Sequence, residues 1–262
     1  MSIRVCTLAL PAALAACANA TAPDTSTQNP STFEEFEATT YKEPWEGGVY
    51  IVDGDTPVAD RKALRELWEQ RFSGSALIVH HPGGLDARWN ETEKHQLTYC
   101  VSDSFGSHKA EVVAAMAAAT DQGWETFADV DFIHVEAQDA SCTASNTNVV
   151  FDVRPVSGQP YLARAFFPNQ SRSTRNILID STAYNTVWSL ANILGHETGH
   201  TLGFRHEHTR PEAGTCFEDN NWRALTPYDS DSVMHYPQCN GTQDGDLVLT
   251  SLDRQGAASL YP

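Results

Sequence analysis

Apolar positions in the middle and C-terminal parts of the chain follow two patterns, the short runs typical of buried strands and the three-to-four-residue spacing of helices. Short apolar runs predict five strands, at residues 96–101, 132–136, 149–153, 161–167 and 176–180. Helical spacing predicts two long helices, over residues 109–127 and 187–202. We therefore predict an α/β (α+β) fold in which two long helices back a five-stranded, twisted sheet.

A final helix is predicted over residues 250–260. Thr250 and Asp253 have the spacing of a capping box, in which each side chain binds the other residue's backbone N–H. This helix is expected to close a smaller, irregular C-terminal half of the fold.

Upstream of residue 85 the apolar pattern is weaker. Residues 49–52 and 76–79 have the composition of short strands, and helical spacing runs over residues 57–72. These elements carry too few apolar residues for a secure domain of their own. We predict a pro-segment or small N-terminal subdomain over residues 49–84 and the main domain over residues 85–262.

The predicted strand at 161–167 lies between Pro160 and Pro168. Proline removes a donor from the hydrogen-bond ladder, so this strand is expected at the edge of the sheet. An edge strand can accept an extended peptide through backbone hydrogen bonds, which is one way to hold a protein substrate. The alternative is an edge that binds nothing, since most edges are simply protected.

The first residues have the layout of an export signal. Met1 to Arg4 carry one positive charge, and residues 5–16 form an apolar run too short to span a bilayer stably. The run ends in Leu14-Ala15-Ala16-Cys17, which resembles the bacterial lipobox, whose cysteine is lipid-modified and becomes the first mature residue. Residues 1–16 are thus predicted to be a lipoprotein signal peptide. Cleavage at a small-residue site such as Ala18-Asn19-Ala20 is the alternative.

Residues 17–48 are rich in Thr, Ser, Pro and acidic residues, which predicts a flexible tether with a short helical start at residues 33–36. Such a tether would hold a folded domain away from a membrane. We expect an exported protein that is lipid-anchored at a bacterial outer membrane or cell surface, and otherwise secreted. Contact with the membrane is expected only through the N-terminal lipid.

The cysteines suit an exported chain. Two of the six would be lost with the signal or used for lipid, and the four that remain allow three pairings. Sequence proximity favours Cys100 with Cys142 and Cys216 with Cys239. A cysteine-based zinc site is less favoured, because the chain has no C-x-x-C pair.

Composition restricts the partners. The chain has 41% hydrophobic residues, enough for a core, and a formal charge of −17 from 34 acidic and 17 basic residues. A phosphate backbone would be repelled by this charge, so no nucleic-acid partner is expected.

The candidate chemistry lies in one stretch. If residues 187–202 are helical, His196 and His200 lie one turn apart on the same face and can reach one metal ion. Gly203 then ends the helix where a positive φ is needed, and the reversing chain can return His206 as a third nitrogen ligand. Three imidazoles and one open position suit a catalytic Zn²⁺, and Glu197 is placed to reach a water at that position.

A bare H-E-x-x-H pattern is short enough to arise by chance on an amphipathic helix. Gly203 and His206 at the further offsets make coincidence a poor explanation, and this extended spacing is the metzincin signature. The sequence resembles one metzincin branch, the astacins, in Gly203-Phe204-Arg205-His206-Glu207, in Arg210 and in Ser232-Val233-Met234-His235-Tyr236. This resemblance implies a metzincin-type zinc protease with its active-site cleft below the two long helices.

The resemblance also implies roles for single residues. Met234 would form an apolar floor beneath the imidazoles, and Tyr236 would be a reversible zinc ligand whose hydroxyl stabilises an oxyanion. Glu207 would contact a buried chain terminus or water near the site. Glu197 would serve as the general base and then pass its proton to the leaving amine.

A latency switch is a further expectation. Astacin pro-segments resemble Phe-x-Gly-Asp, whose aspartate occupies the water position on zinc, and Val52-Asp53-Gly54-Asp55 has the Gly-Asp without the Phe. Asp55 is therefore a candidate zinc ligand in a zymogen. The alternative is an ordinary Gly-Asp turn between two elements.

These features predict an exported, monomeric, zinc-dependent endopeptidase that hydrolyses proteins or peptides. One alternative is a matrixin-like protease, which Ala165-Phe166-Phe167-Pro168 favours and which Glu207 and His235-Tyr236 oppose. Another is a non-catalytic surface lipoprotein that keeps a zinc site. Glu197 and Tyr236 argue against it, because a structural site needs neither.

Overall fold

The computed structural model describes residues 33–45, 49–52, 56–58, 60–62, 64–65, 77–243 and 247–262. The predicted signal peptide, residues 1–16, and the predicted turn that contains Asp55 lie outside the described residues. Within the described part of the chain, no helix is both long and apolar enough to cross a membrane.

The N-terminal elements form a small unit with its own apolar cluster. Helix α1 (Phe33–Thr39) precedes three short strands in the order β1 (Tyr41–Lys42), β2 (Tyr50–Val52) and β3 (Thr56–Val58), which pair antiparallel. The buried side chains of the cluster come from Phe33, Phe36, Tyr50 and Leu64. Part of the predicted tether, residues 17–48, is therefore helix and strand, because two phenylalanines one turn apart give α1 an apolar face.

The helix predicted over residues 57–72 is wrong at its start. Residues 56–58 are a strand, in which Pro57 lies opposite Ile51. β3 lies at an edge of its sheet, where a residue without an N–H is tolerated. Helical backbone begins later, at residues 61–62 and 64–65.

Strand β4 (Ile78–His80) pairs antiparallel with β10 (Trp222–Ala224), which lies in the C-terminal half. The N–H of His80 also donates to the carbonyl of Gly203 at 2.8 Å. Leu77 and Val79 are fully buried in the main apolar core. β4 lies within residues 49–84, the predicted N-terminal segment, but it packs with the main domain.

The predicted five-stranded sheet is present in the order β6-β5-β7-β9-β8. Its strands are β5 (Leu97–Val101), β6 (Phe132–His134), β7 (Phe151–Val156), β8 (Ala163–Arg164) and β9 (Asn176–Asp180). All neighbours are parallel except β8, which runs antiparallel to β9. The edge position predicted for the strand between two prolines is confirmed, although the strand is shorter than residues 161–167.

The two long helices of the main domain pack against each other. They are α2 (Lys109–Ala119) and α3 (Leu190–Thr201). Helix α2 ends eight residues before the predicted limit, because Thr120 donates its hydroxyl back to the Met116 carbonyl and the chain turns at Gly123. A Cβ on Gly123 would lie 2.2 Å from the Ala119 carbonyl oxygen. The turn places Trp124 in the core, where it is fully buried.

Helix α4 (Ser251–Leu260) closes the irregular C-terminal half, and both hydrogen bonds of the predicted capping box are present. Tyr261, directly after the helix, donates its hydroxyl to the carbonyl of Leu202 at 2.7 Å. The end of the chain is thereby attached to the end of α3.

Both predicted disulfides are present. Cys100 is bonded to Cys142 with a Cα–Cα distance of 5.6 Å, and Cys216 to Cys239 with 5.7 Å. The first joins β5 to the segment after β6. The second closes a loop that contains β10 and the segment with Met234.

Candidate metal centre

Helix α3 presents its histidines from a well-defined start. The Ser189 hydroxyl accepts the N–H of Asn192 at 3.1 Å, which caps the first turn. Leu194 is fully buried and fixes the rotation of the helix. His196 and His200 then lie on one face, and their ring centroids are 4.8 Å apart.

Gly203 reverses the chain after the helix. Its φ of +102° lies in the region that favours glycine, and a Cβ there would lie 2.1 Å from the Ala87 carbonyl oxygen. The turn brings His206 back until its Nε2 is 3.2 Å from Nε2 of His200. One ring nitrogen from each of His196, His200 and His206 lies within 4.8 Å of the other two.

All three rings are oriented by a hydrogen bond from Nδ1 to an oxygen. The acceptors are the Val233 carbonyl for His196 at 2.7 Å, the Phe204 carbonyl for His200 at 2.7 Å and the Glu218 carboxylate for His206 at 2.6 Å. A carbonyl or carboxylate oxygen can only accept, so each Nδ1 carries the proton and each Nε2 offers a lone pair. The lone pairs of the three Nε2 atoms therefore converge on one position.

The donors suit a borderline-soft divalent ion. His196 is 4% exposed, and its Nε2 has no hydrogen-bond partner among the described residues. Burial and the neighbouring His206 lower the pKa of His196 to about 3, so its imidazole is neutral. Burial also lowers the pKa of His200. Neutral, converging imidazoles fit Zn²⁺.

Glu197 lies beside the three nitrogens and lines two cavities, of about 250 and 360 Å³. Burial raises the pKa of Glu197 to about 8, and the positive charge of Arg164 acts in the opposite direction. A divalent cation nearby would favour the charged carboxylate further. A buried carboxyl group whose pKa lies near neutrality can both accept and return a proton.

The two cavities that Glu197 lines differ in character. The first is largely apolar, with Trp188, Ile193 and Leu247 among its walls. The second contains the charged groups of Arg164, Arg205 and Glu218. Tyr161 and Ala163 border both cavities, so the edge of the five-stranded sheet runs along the cleft.

Tyr236 lies against two of the histidines, and Met234 lies against the helix that carries His196 and His200. The Tyr236 ring is 5.4 Å from the His196 ring and 4.4 Å from the His206 ring, centroid to centroid. Burial raises the pKa of the Tyr236 hydroxyl, which keeps it a donor. Met234 approaches the helix so closely that a Cβ on Gly199 would be 2.6 Å from its Sδ.

Glu207 is fully buried under the same region. Its N–H donates to the Met234 carbonyl at 2.9 Å, and its Oε1 accepts from Arg210 and from the Asp229 N–H, both at 3.2 Å. Its Oε2 has no partner among the described residues. Burial raises the pKa of Glu207, which Arg210 opposes.

Two acidic residues belong to the site that the sequence did not indicate. Glu218 lies in the loop before β10, and Asp253 of α4 accepts bonds from the Ser232 hydroxyl at 2.5 Å and the Val233 N–H at 2.8 Å. Burial would raise the pKa of Glu218, but hydrogen bonds from His206 and Arg205, with His208 nearby, outweigh it and hold that pKa well below its ordinary range. The capping-box spacing of Asp253 was its only local signal.

A comparison with protein families decides the broader relationship. The matrixin family model matches residues 88–213, which contain the three histidines and Glu197. Together with the astacin-like relatives, this match supports a metzincin zinc metalloprotease. The three histidines and Glu197 lie on the second long helix and the turn that follows.

Individual relatives match parts of this chain. Astacin-like metalloprotease toxin 2 of Loxosceles intermedia is 39% identical over 67 residues, which are 19% of this chain and 26% of that protein. Tolloid-like protein 1 of Homo sapiens is 28% identical over 183 residues, 61% of this chain and 16% of that protein. The solved structure of myroilysin covers 71% of this chain and 98% of its own, with 18% identity and a TM-score of 0.48. The chain thus spans no more than about a quarter of the length of these curated relatives.

Proposed function

We propose that this metzincin is an exported, zinc-dependent endopeptidase of the astacin-like branch that hydrolyses peptide bonds in proteins. The observation that supports the proposal most strongly is the convergence of three imidazole nitrogens beside a buried glutamate whose pKa is near neutrality. A structural zinc site would be closed by a fourth protein ligand and would need no such carboxyl group.

His196, His200 and His206 would hold the ion through their Nε2 atoms. Zinc in such a site supplies a Lewis acid and lowers the pKa of a bound water towards 7. Every other function in the reaction falls to side chains of this chain.

Glu197 would accept the proton of the attacking water and return it to the leaving amine. Its burial favours the neutral form, which makes the first of these two proton transfers easier. Tyr236 would donate its hydroxyl to the oxygen of the scissile carbonyl as negative charge develops there. A donor that acts mainly in the transition state is typically worth about 3 kcal/mol.

The substrate would bind as an extended peptide along β8. This strand pairs with β9 on one side, and the segment around it borders both cavities beside Glu197. A peptide added to this edge would pass the metal centre with its side chains alternating between the sheet and the cleft. No nucleic acid partner is proposed, and we propose a monomer.

The finer points of maturation are also proposals. The two disulfides suit an oxidising compartment, and we propose export with lipid attachment at Cys17. Residues before the main domain would act as a pro-segment in which Asp55 blocks the metal.

The test is Glu197→Gln on an unfolded protein substrate, with zinc content measured in both proteins. We expect unchanged zinc and a loss of cleavage of roughly 10²–10⁴-fold, because the amide cannot accept the proton. Glu136→Gln is the matched control, since this glutamate is exposed in a 3-10 segment away from α3. Cleavage at the wild-type rate by the Glu197→Gln variant would refute the general-base role of Glu197. A wild-type protein that binds zinc but cleaves nothing would favour the non-catalytic alternative.

A further inference from the structure

Glu218 stands out because it is the carboxylate that touches a proposed metal ligand. Its Oε1 is 2.6 Å from Nδ1 of His206, a short charge-assisted hydrogen bond. The Nδ1 atoms of His196 and His200 instead donate to neutral backbone carbonyls.

The position of Glu218 is itself fixed. Nη2 of Arg205 donates to Oε2 of Glu218 at 2.6 Å, while Nη1 of Arg205 donates to Asp219 at 2.6 Å. Cys216, two residues before Glu218, is bonded to Cys239. His208 approaches Oε1 to 3.6 Å through its Nε2. The carboxylate is therefore held from several directions at the distance that His206 requires.

His206 needs such support more than the other two histidines do. His196 and His200 are carried by a helix whose backbone fixes their direction. His206 follows the Gly203 turn in an irregular segment, so its ring orientation depends on what its Nδ1 binds. A carboxylate on the outer nitrogen of a metal-binding imidazole sets the tautomer and increases the electron donation of the inner nitrogen.

We propose that Glu218 is a positioning residue for the metal, acting through His206 to fix its ring and strengthen its Nε2 as a ligand. The inference rests on the proposed metal site and not on peptide hydrolysis. The resemblance that pointed to the three histidines gave no role to this position.

Another reading of the same residues is a second ion held by His206, His208 and Glu218, whose ligand atoms also lie within 4.8 Å of one another. The 2.6 Å contact between Nδ1 and Oε1 argues for a shared proton, because an ion between two ligands holds them farther apart. The metal stoichiometry separates the two readings.

The experiment measures the zinc affinity of the full chain by competition with a chromogenic chelator. We expect Glu218→Ala to weaken zinc binding about 10–100-fold and Glu218→Gln to weaken it about tenfold, because glutamine keeps an acceptor oxygen but lacks the charge. Asp219→Asn is the control. Asp219 accepts a hydrogen bond from the Arg205 guanidinium, as Glu218 does, but it does not contact His206. We expect its affinity to stay within about twofold of wild type.

A second measurement uses Co²⁺ in place of zinc. Its visible absorption bands report the ligand field, so we expect a shift in Glu218→Gln and none in Asp219→Asn. If Glu218→Ala does not fold, Glu218→Gln decides the result in both measurements.

Three results would overturn the proposal: unchanged affinity in the Glu218 variants, an equal loss in Asp219→Asn, or two zinc ions in the wild type of which Glu218→Ala loses one. Neither measurement requires cleavage. A protein that binds zinc in the expected order of affinities but hydrolyses nothing would therefore contradict the proposed function alone.

Discussion

Asp253 connects the C-terminal helix to the metal centre, and its substitution gives a graded test of that connection. Its Oδ1 accepts the Ser232 hydroxyl at 2.5 Å, and its Oδ2 accepts the N–H groups of Val233 at 2.8 Å and Thr250 at 3.0 Å. The carbonyl of Val233 in turn accepts Nδ1–H of His196. A change at Asp253 should therefore reach the first proposed zinc ligand through a single residue, Val233.

The expected magnitudes follow from the donors that lose their acceptor. Alanine at position 253 leaves the Ser232 hydroxyl and the Val233 N–H unpaired in buried surroundings, at about 1–3 kcal/mol each, and removes the capping box for about 1 kcal/mol more. We expect Asp253→Ala to lower the free energy of unfolding by about 3–7 kcal/mol. Asparagine can keep both N–H bonds with its one oxygen, so Asp253→Asn should cost about 1–2 kcal/mol.

The assay is denaturant unfolding at pH 7 with the zinc affinity measured in parallel. Thr250→Ala removes the cap but leaves Asp253 in contact with residues 232 and 233, so it should cost about 1 kcal/mol and spare zinc binding. Gln255→Ala, at an exposed position of the same helix, should stay within about 0.5 kcal/mol. If Asp253→Ala were no worse than Thr250→Ala, the bonds to the Met234 segment would contribute nothing and the reasoning would be refuted.

Other expectations concern the turn, the cleft and a surface pair. Gly203→Ala should lower the free energy of unfolding by at least about 2 kcal/mol in a denaturant titration, because of its φ and the close Ala87 carbonyl, and a smaller loss would contradict the turn geometry. Tyr236→Phe should slow peptide cleavage about 10²-fold with zinc content unchanged, and full activity would remove its role as a donor. The hydrogen bond from Arg223 lowers the pKa of Asp86 in the folded protein. This pair therefore stabilises the fold above the unfolded-state pKa near 3.9, and its contribution is lost as the pH falls through the folded-state pKa. Asp86→Asn should accordingly destabilise by about 0.5–1 kcal/mol at pH 7 and by less near pH 2, and a penalty that grew on acidification would be the wrong sign.

The features that were predictable from the sequence are those with a local cause. The helix that carries His196 and His200, the positive φ at Gly203 and the capping box at Thr250 each follow from spacing within a few residues. The edge position of β8 follows in the same way from two prolines.

The features that could not be predicted from the sequence depend on contacts between distant parts of the chain. Glu218 reaches His206 from an irregular loop, and no period in the sequence marks that loop. The pairing of β4 with β10 joins strands more than 140 residues apart. The early end of α2 depends on a turn that is stabilised by the burial of Trp124 in the core. In each case the contacting residue lies too far along the chain for a local sequence pattern to include it.

The pairing of β4 with β10 restricts where a precursor could be cut. Leu77 and Val79 fill the main core, the N–H of His80 binds the carbonyl of the glycine that turns the chain towards His206, and the N–H of Arg205 binds the carbonyl of Ile78 at 2.8 Å. An enzyme trimmed at Leu85 would lose this strand and with it a support of the third imidazole. Any activating cleavage that preserves the metal centre therefore has to fall upstream of Leu77.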